Sequence, residues 1–151
     1  MKLAEALSLR SNLQKRINML KGRMQKSCMV IEGDTPPENI DDLFKELDGC
    51  LKQFRELVYR INVTNMHSSI DGRSITDIMA ERDVLQQRVN IYHELTKTLV
   101  DGNNRWGREE KSVRLVDVPS LRRQTDEYAK RLRLLDLKLQ QSNWTIDLEE
   151  V

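Results

Sequence analysis

Two arginines stand where a helical seam calls for apolar side chains, Arg10 in the first amphipathic stretch and Arg82 in the third. A desolvated guanidinium must be paired, because an unpaired buried charge costs several kcal/mol. A hairpin turning near Asp34 sets Arg10 level with Leu57, and a second turning near Ser69 sets Arg82 level with Arg55. The two arginines are therefore expected to meet in one layer. Asp136 of the last helix reaches that level, with Asp77, Glu81 and Asp83 close in sequence, and Asn62, Asn65 and His67 roof it. Two chemistries follow from these residues. One is an internal ion network that fixes helix register. The other is a site for a small anion or carboxylate, held by Arg10, Arg82, Asn62, Asn65, His67 and Asp136.

Other templates for chemistry are incomplete. His67 and His93 stand in neither H-E-x-x-H nor E-x-x-H spacing, so no metal is expected. Glu38 and Asp41 match half of a helical Mg²⁺-dependent nucleotide hydrolase site, but no second pair faces them, since Asp77 and Glu81 are four apart. Acids at a helix start explain the first pair more simply. Neither a P-loop nor a glycine-rich dinucleotide turn occurs, so no cofactor is expected and the reading leans away from an enzyme. Trp106, in the run NNRWGREEK, reads as an interface anchor. Cys28 and Cys50 form no metal-ligand cluster. Folding about Asp34 puts Cys50 level with Asn18, about 15 Å of helix from Cys28, so both thiols are expected to be free.

The elements that must position these residues are helices. The chain has 151 residues, 38% apolar and 32% charged, a balance that suits one domain of elongated helices with wide wet faces. Its net charge of +1 provides no field to attract nucleic acid. Locally, Met1 to Ile31 carries seven bases and one acid, while Glu32 to Asp48 carries seven acids and one lysine. Paired as a hairpin, the two halves answer each other. The start MKLAEALSLR is interrupted by Glu5 and Arg10, and nothing reaches the roughly 20 apolar residues of a membrane span, so a cytoplasmic protein is expected.

Apolar steps of three and four run through Leu3, Ala6, Leu13, Ile17, Leu20 and Met24, then through Ile40, Leu43, Leu47, Cys50, Phe54, Leu57 and Ile61. They continue through Ile75, Ile78, Leu85, Val89, Tyr92, Thr96 and Leu99, and through Leu121, Thr125, Tyr128, Leu132, Leu135 and Leu139. Helices are expected near 2–31, 36–63, 74–101 and 119–142. Thr35, Pro36 and Glu38 read as a capping box that makes the first hairpin tight, and Ser74 with Asp77 as a second capping signal. Thr96 and Thr125 are expected to bond back to helix carbonyls. Asp71-Gly72 reads as a tight turn that closes a short ribbon. Any β structure is confined to 64–75, to KSVRLVDV near 111–118, and to a docked tail at 144–149.

The fold class is thus all-α, an elongated antiparallel four-helix bundle with minor β additions. It forms one domain over 1–151: a hairpin to 63, a polar ribbon over 64–75, a second helix pair over 76–142 and a tail from 143. Roughly 24 helical residues, about 36 Å, separate KSVRLVDV from the tail, while a seven-residue strand covers about 23 Å. KSVRLVDV therefore lacks a partner within its own chain. Leu9, Val84, Ile91, Leu134 and Leu137 lie off the main seams as further apolar surface. Both features predict a homo-oligomer.

The blocks MKLAEALSLR, INVTN at Ile61 to Asn65, ITDIMAERD at Ile75 to Asp83 and NWT at Asn143 to Thr145 resemble the small bacterial family called septicolysin-like. The resemblance covers the whole chain and implies a helical fold, a bacterial origin and a pore-forming activity. The residues themselves name no reaction. They favour a self-assembling structural or interaction protein whose partner is itself. The rivals are a small-ligand or nucleotide-handling enzyme built on the arginine layer, binding a small-molecule anion, and the pore-former that the resemblance implies.

Overall fold

The computed structural model describes residues 1–102 and 112–151; Trp106 and Lys111 lie outside the described residues. The fold is all-α with a minor β addition, as expected. Its elements are α1 (Leu3–Ser27), α2 (Ile40–His67), β1 (Ser69–Ile70), β2 (Arg73–Ser74), α3 (Ile75–Asp101) and α4 (Val118–Thr145). They fall into two compact units, Met1–Ile70 with Ser142–Val151, and Asp71–Gln141.

The first unit is an antiparallel pair, α1 on α2. Leu20, Leu43 and Cys50 form its buried cluster, with Ile17, Met24, Ile40 and Leu47 packed against them. All seven are seam positions of the two amphipathic stretches. Arg16 pairs with Glu46 at 2.8 Å, and Arg23 donates Nε to Glu38 at 2.9 Å. The basic first stretch and the acidic second one do answer each other, and the Arg23 hydrogen bond holds the Glu38 carboxyl below the usual carboxylate range.

The hairpin differs from the expected one in register and in its turn. The midpoints of Arg16–Glu46 and Arg23–Glu38 fall near residue 31, not Asp34. Arg10 is therefore level with about Lys52 rather than Leu57. The connection is also not tight, since residues 28–39 separate the helices. Thr35 does not cap α2. Pro36 precedes Pro37, which disfavours helical dihedrals at Pro36 and defers the start. Asn39 then caps the helix, its side-chain oxygen accepting the Asp41 and Asp42 amides at 2.9 and 3.3 Å. Glu38, released from a capping role, reaches Arg23 instead. Cys28 is exposed, Cys50 is buried, and both are free.

Helix α2 runs past Ile61 to His67 because its seam continues in polar residues. Thr64 and Asn65 occupy the inward positions and are buried. Thr64 Oγ1 donates to the Arg60 carbonyl at 2.8 Å, which satisfies the hydroxyl inside the helix. The turn at Asp71-Gly72 has φ of 51° and 80°, the positive pair that a two-residue hairpin turn requires. Ser74 caps α3, its Oγ accepting the Asp77 amide at 3.1 Å.

The second unit pairs α3 with α4, also antiparallel. Leu85, Val89 and Leu132 are its buried cluster, backed by Tyr128, Ala129 and Leu135. Thr96 and Thr125 donate to the carbonyls of Tyr92 and Leu121, as expected of helix threonines. Asp117 accepts the Ser120 amide at 3.1 Å and starts α4. The expected strand over 111–118 is not formed in its described part: Ser112–Asp117 hold no strand and Val118 is already helical. The tail strand is likewise reduced to one antiparallel bridge, Lys2 with Asp147, because α4 continues three residues beyond 142.

Candidate functional site

The polar residues at the end of α2 clamp the tail of the chain. Thr64, fully buried, accepts the Glu149 amide on Oγ1 at 3.0 Å. Arg60 Nε donates to the Glu149 carbonyl at 2.9 Å. His67 Nδ1 lies 2.9 Å from the Glu149 carboxylate. One residue of the tail is thus held through its amide, its carbonyl and its side chain. Leu148 is buried beside it. On the α1 side the Leu3 amide donates to the Ile146 carbonyl at 2.9 Å, and the Leu148 amide donates to the Met1 carbonyl at 2.8 Å. Lys2 pairs with Asp147 at 2.8 Å and holds its carboxyl below the usual carboxylate range.

The expected site residues are distributed between the two units. Arg10, Asn62, Asn65 and His67 belong to the first, Arg82 and Asp136 to the second. His67 and Asn65 sit in the tail clamp region, His67 exposed and Asn65 buried, while Asn62 is exposed on the same helix. Arg10 is exposed and forms no ion pair among the described residues. Arg82 donates to Asp83 at 3.1 and 3.3 Å and approaches Asp136 at 3.9 Å, its side chain 34% exposed. Neither guanidinium is desolvated. Arg60 and Glu149 escaped sequence reasoning, since residues almost ninety positions apart leave no local pattern to read.

The exposure of Arg82 sets an expectation of its own. A buried network would make Arg82→Leu costly by several kcal/mol. A pair open to solvent contributes little. Thermal melts of Arg82→Leu are expected to move by no more than about 1 kcal/mol, with no coupling to Arg10→Leu. A loss of several kcal/mol in either variant would restore the buried layer.

What the fold and its polar residues define is an all-α helical protein. Among the described residues no group of three or more His, Cys, Asp or Glu could hold a metal, and no helix is long and apolar enough to cross a membrane. The chain belongs to DUF6847, a family of unknown function whose model matches residues 10–148. It is also similar to a functionally unknown conserved protein from Corynebacterium diphtheriae, known from a crystal structure. The two are 34% identical, superpose with a TM-score of 0.92, and the match covers 99% of each chain. No curated protein matches. These findings overturn the septicolysin-like resemblance, since neither the family nor the structural neighbour carries that description. The short blocks on which it rested are stretches of ordinary helix: INVTN is the last part of α2 and ITDIMAERD the first part of α3.

Proposed function

We propose that this chain is a cytoplasmic interaction protein that associates with itself through helix faces left open in each unit. One observation carries the reading. All five side chains placed off the seams by sequence are exposed: Leu9 by 41%, Val84 by 58%, Ile91 by 53%, Leu134 by 51% and Leu137 by 50%. On α3, Val84, Ile91 and the exposed Leu95 align within about 40° of one another and about 120° from the seam of Leu85 and Val89. On α2, exposed Phe44, Leu51, Tyr59 and Met66 form a second stripe, again about 120° from the α1-facing seam. Isolated apolar residues on a surface need no explanation, but aligned stripes mark contact surfaces.

Unpaired strands do not drive this association, because the tail is docked and the described part of KSVRLVDV is not a strand. The helix stripes do. A second copy is the occupant that matches them: a near-neutral chain meets no net repulsion from its own kind, and an apolar stripe is complementary to itself across a two-fold axis. Light scattering coupled to size exclusion at micromolar concentration is expected to give a multiple of 17.7 kDa, reduced by the paired substitution Val84→Glu and Ile91→Glu. A 17.7 kDa monomer in the unsubstituted protein overturns the proposal.

A further inference from the structure

A cleft of about 440 Å³ in the second unit is lined by Asp77, Glu81, Arg88, Tyr128 and Arg131 together with apolar side chains of α3. Its charges are not balanced in pairs. Arg73 occupies both carboxylates, donating Nε to Asp77 at 2.8 Å and Nη1 to Glu81 at 2.6 Å. Arg88 and Arg131 form no ion pair among the described residues and converge on one aromatic ring. Their guanidinium carbons lie 4.7 and 5.8 Å from the Tyr128 ring centroid. Tyr92 meets the same ring edge to face, with centroids 5.8 Å apart.

A single guanidinium against a tyrosine is an ordinary stabilising contact. A second cation on the same ring repels the first, and the two carboxylates that line the cleft, Asp77 and Glu81, are hydrogen-bonded to Arg73 and to neither of these arginines. The hydroxyls sharpen the imbalance. Arg88 Nη1 donates to the Tyr92 and Tyr128 hydroxyl oxygens, each at 3.4 Å, which leaves both O–H groups free to donate. Two guanidinium groups and the Tyr128 hydroxyl therefore gather at the cleft, with Tyr92 beside it, and neither arginine has a carboxylate in ion-pair contact. Planar forks match the oxygens of a phosphoryl group, and the cleft volume lies at the small end of ligand pockets.

We propose that this cleft binds a small phosphate monoester, with Arg88 and Arg131 gripping the phosphoryl oxygens and the Tyr92 and Tyr128 hydroxyls donating to them. The phosphoryl oxygens give the two arginines the anionic acceptors that they do not have in the protein, and the ester substituent lies along the apolar wall at Ala80 and Leu85.

The test is a titration of the full chain in phosphate-free, low-salt buffer, followed by nuclear magnetic resonance of the arginine Nε–H groups. The probes are glycerol phosphate, inorganic phosphate, and succinate as a dicarboxylate of equal charge. Glycerol phosphate is expected to shift the Arg88 and Arg131 signals saturably, with succinate at least about tenfold weaker. The double substitution Arg88→Gln and Arg131→Gln is expected to weaken binding at least about tenfold. Should that variant fold poorly, Tyr92→Phe removes one donor and keeps the ring, with a several-fold loss expected. Equal binding of inorganic phosphate would identify free phosphate as the ligand of the same donors. Absence of saturable binding in the unsubstituted protein, shifts spread evenly over all arginines, or tighter binding of succinate each overturn the proposal.

Discussion

Replacing Leu20 by alanine is expected to cost the protein about 3 kcal/mol, within the usual range for a fully enclosed leucine. Leu20 has no exposed surface and sits in the cluster with Leu43 and Cys50, enclosed further by Ile17, Met24, Ile40 and Leu47. Truncation removes three carbons from water-free surroundings and leaves a cavity that two long helices cannot collapse around. For a chain of this length the loss corresponds to a fall in Tm of about 6–12 °C. The neighbouring Met19 is 66% exposed, so Met19→Ala should move stability by less than about 0.5 kcal/mol. Circular dichroism melts of the two variants compare adjacent residues of one helix, one buried and one exposed. Similar melts would mean that the α1–α2 seam is not where Leu20 lies.

Thr64→Val carries the second largest effect, about 1–3 kcal/mol. Valine keeps the shape and the methyl but loses the hydroxyl that accepts the Glu149 amide at 3.0 Å. That amide then has no acceptor where it faces the side chain at position 64, which has no exposed surface. The loss is local as well as global. Amide hydrogen exchange at Glu149 and Leu148 should accelerate well beyond what the change in global stability produces. Thr64→Ser retains the hydroxyl and should keep most of the protection. Unchanged exchange at Glu149 in Thr64→Val would show that the tail is held without this contact.

The long apolar periods were legible in the sequence, and the helix pairs with their buried clusters followed from them. Capping was legible where one residue decides it, as at Ser74, and not where two prolines in a row compete, as at Thr35 to Pro37. The end of α2 was misplaced because Thr64 and Asn65 carry the inward positions, and a pattern read from apolar residues alone stops at Ile61. KSVRLVDV has the composition of a strand, but a strand needs a partner for its ladder and the described residues form none there. The arginine layer rested on a hairpin register inferred from the turn. A displacement of about three residues at the turn moves the level of Arg10 on α2 by about five residues, nearly one and a half helical turns. The Tyr128 cleft was not legible, although each residue was in view, because Arg88 and Arg131 come from different helices and lie off the seams.

The hydrogen bonds between the two ends of the chain impose an order in time. The first unit is made from residues 1–70 and 142–151, and the second unit is the stretch in between. Pairing of α1 with α2 needs only the first seventy residues, but the Leu3 amide and the Thr64 hydroxyl wait for Ile146 and Glu149. At a synthesis rate of about 5–20 residues per second, the intervening stretch takes roughly 4–14 s to appear. Throughout that interval the Leu3 amide of α1 is without the Ile146 carbonyl that it donates to. A helix made from residues 3–27 is completed by residues 146–149, more than a hundred positions later in synthesis.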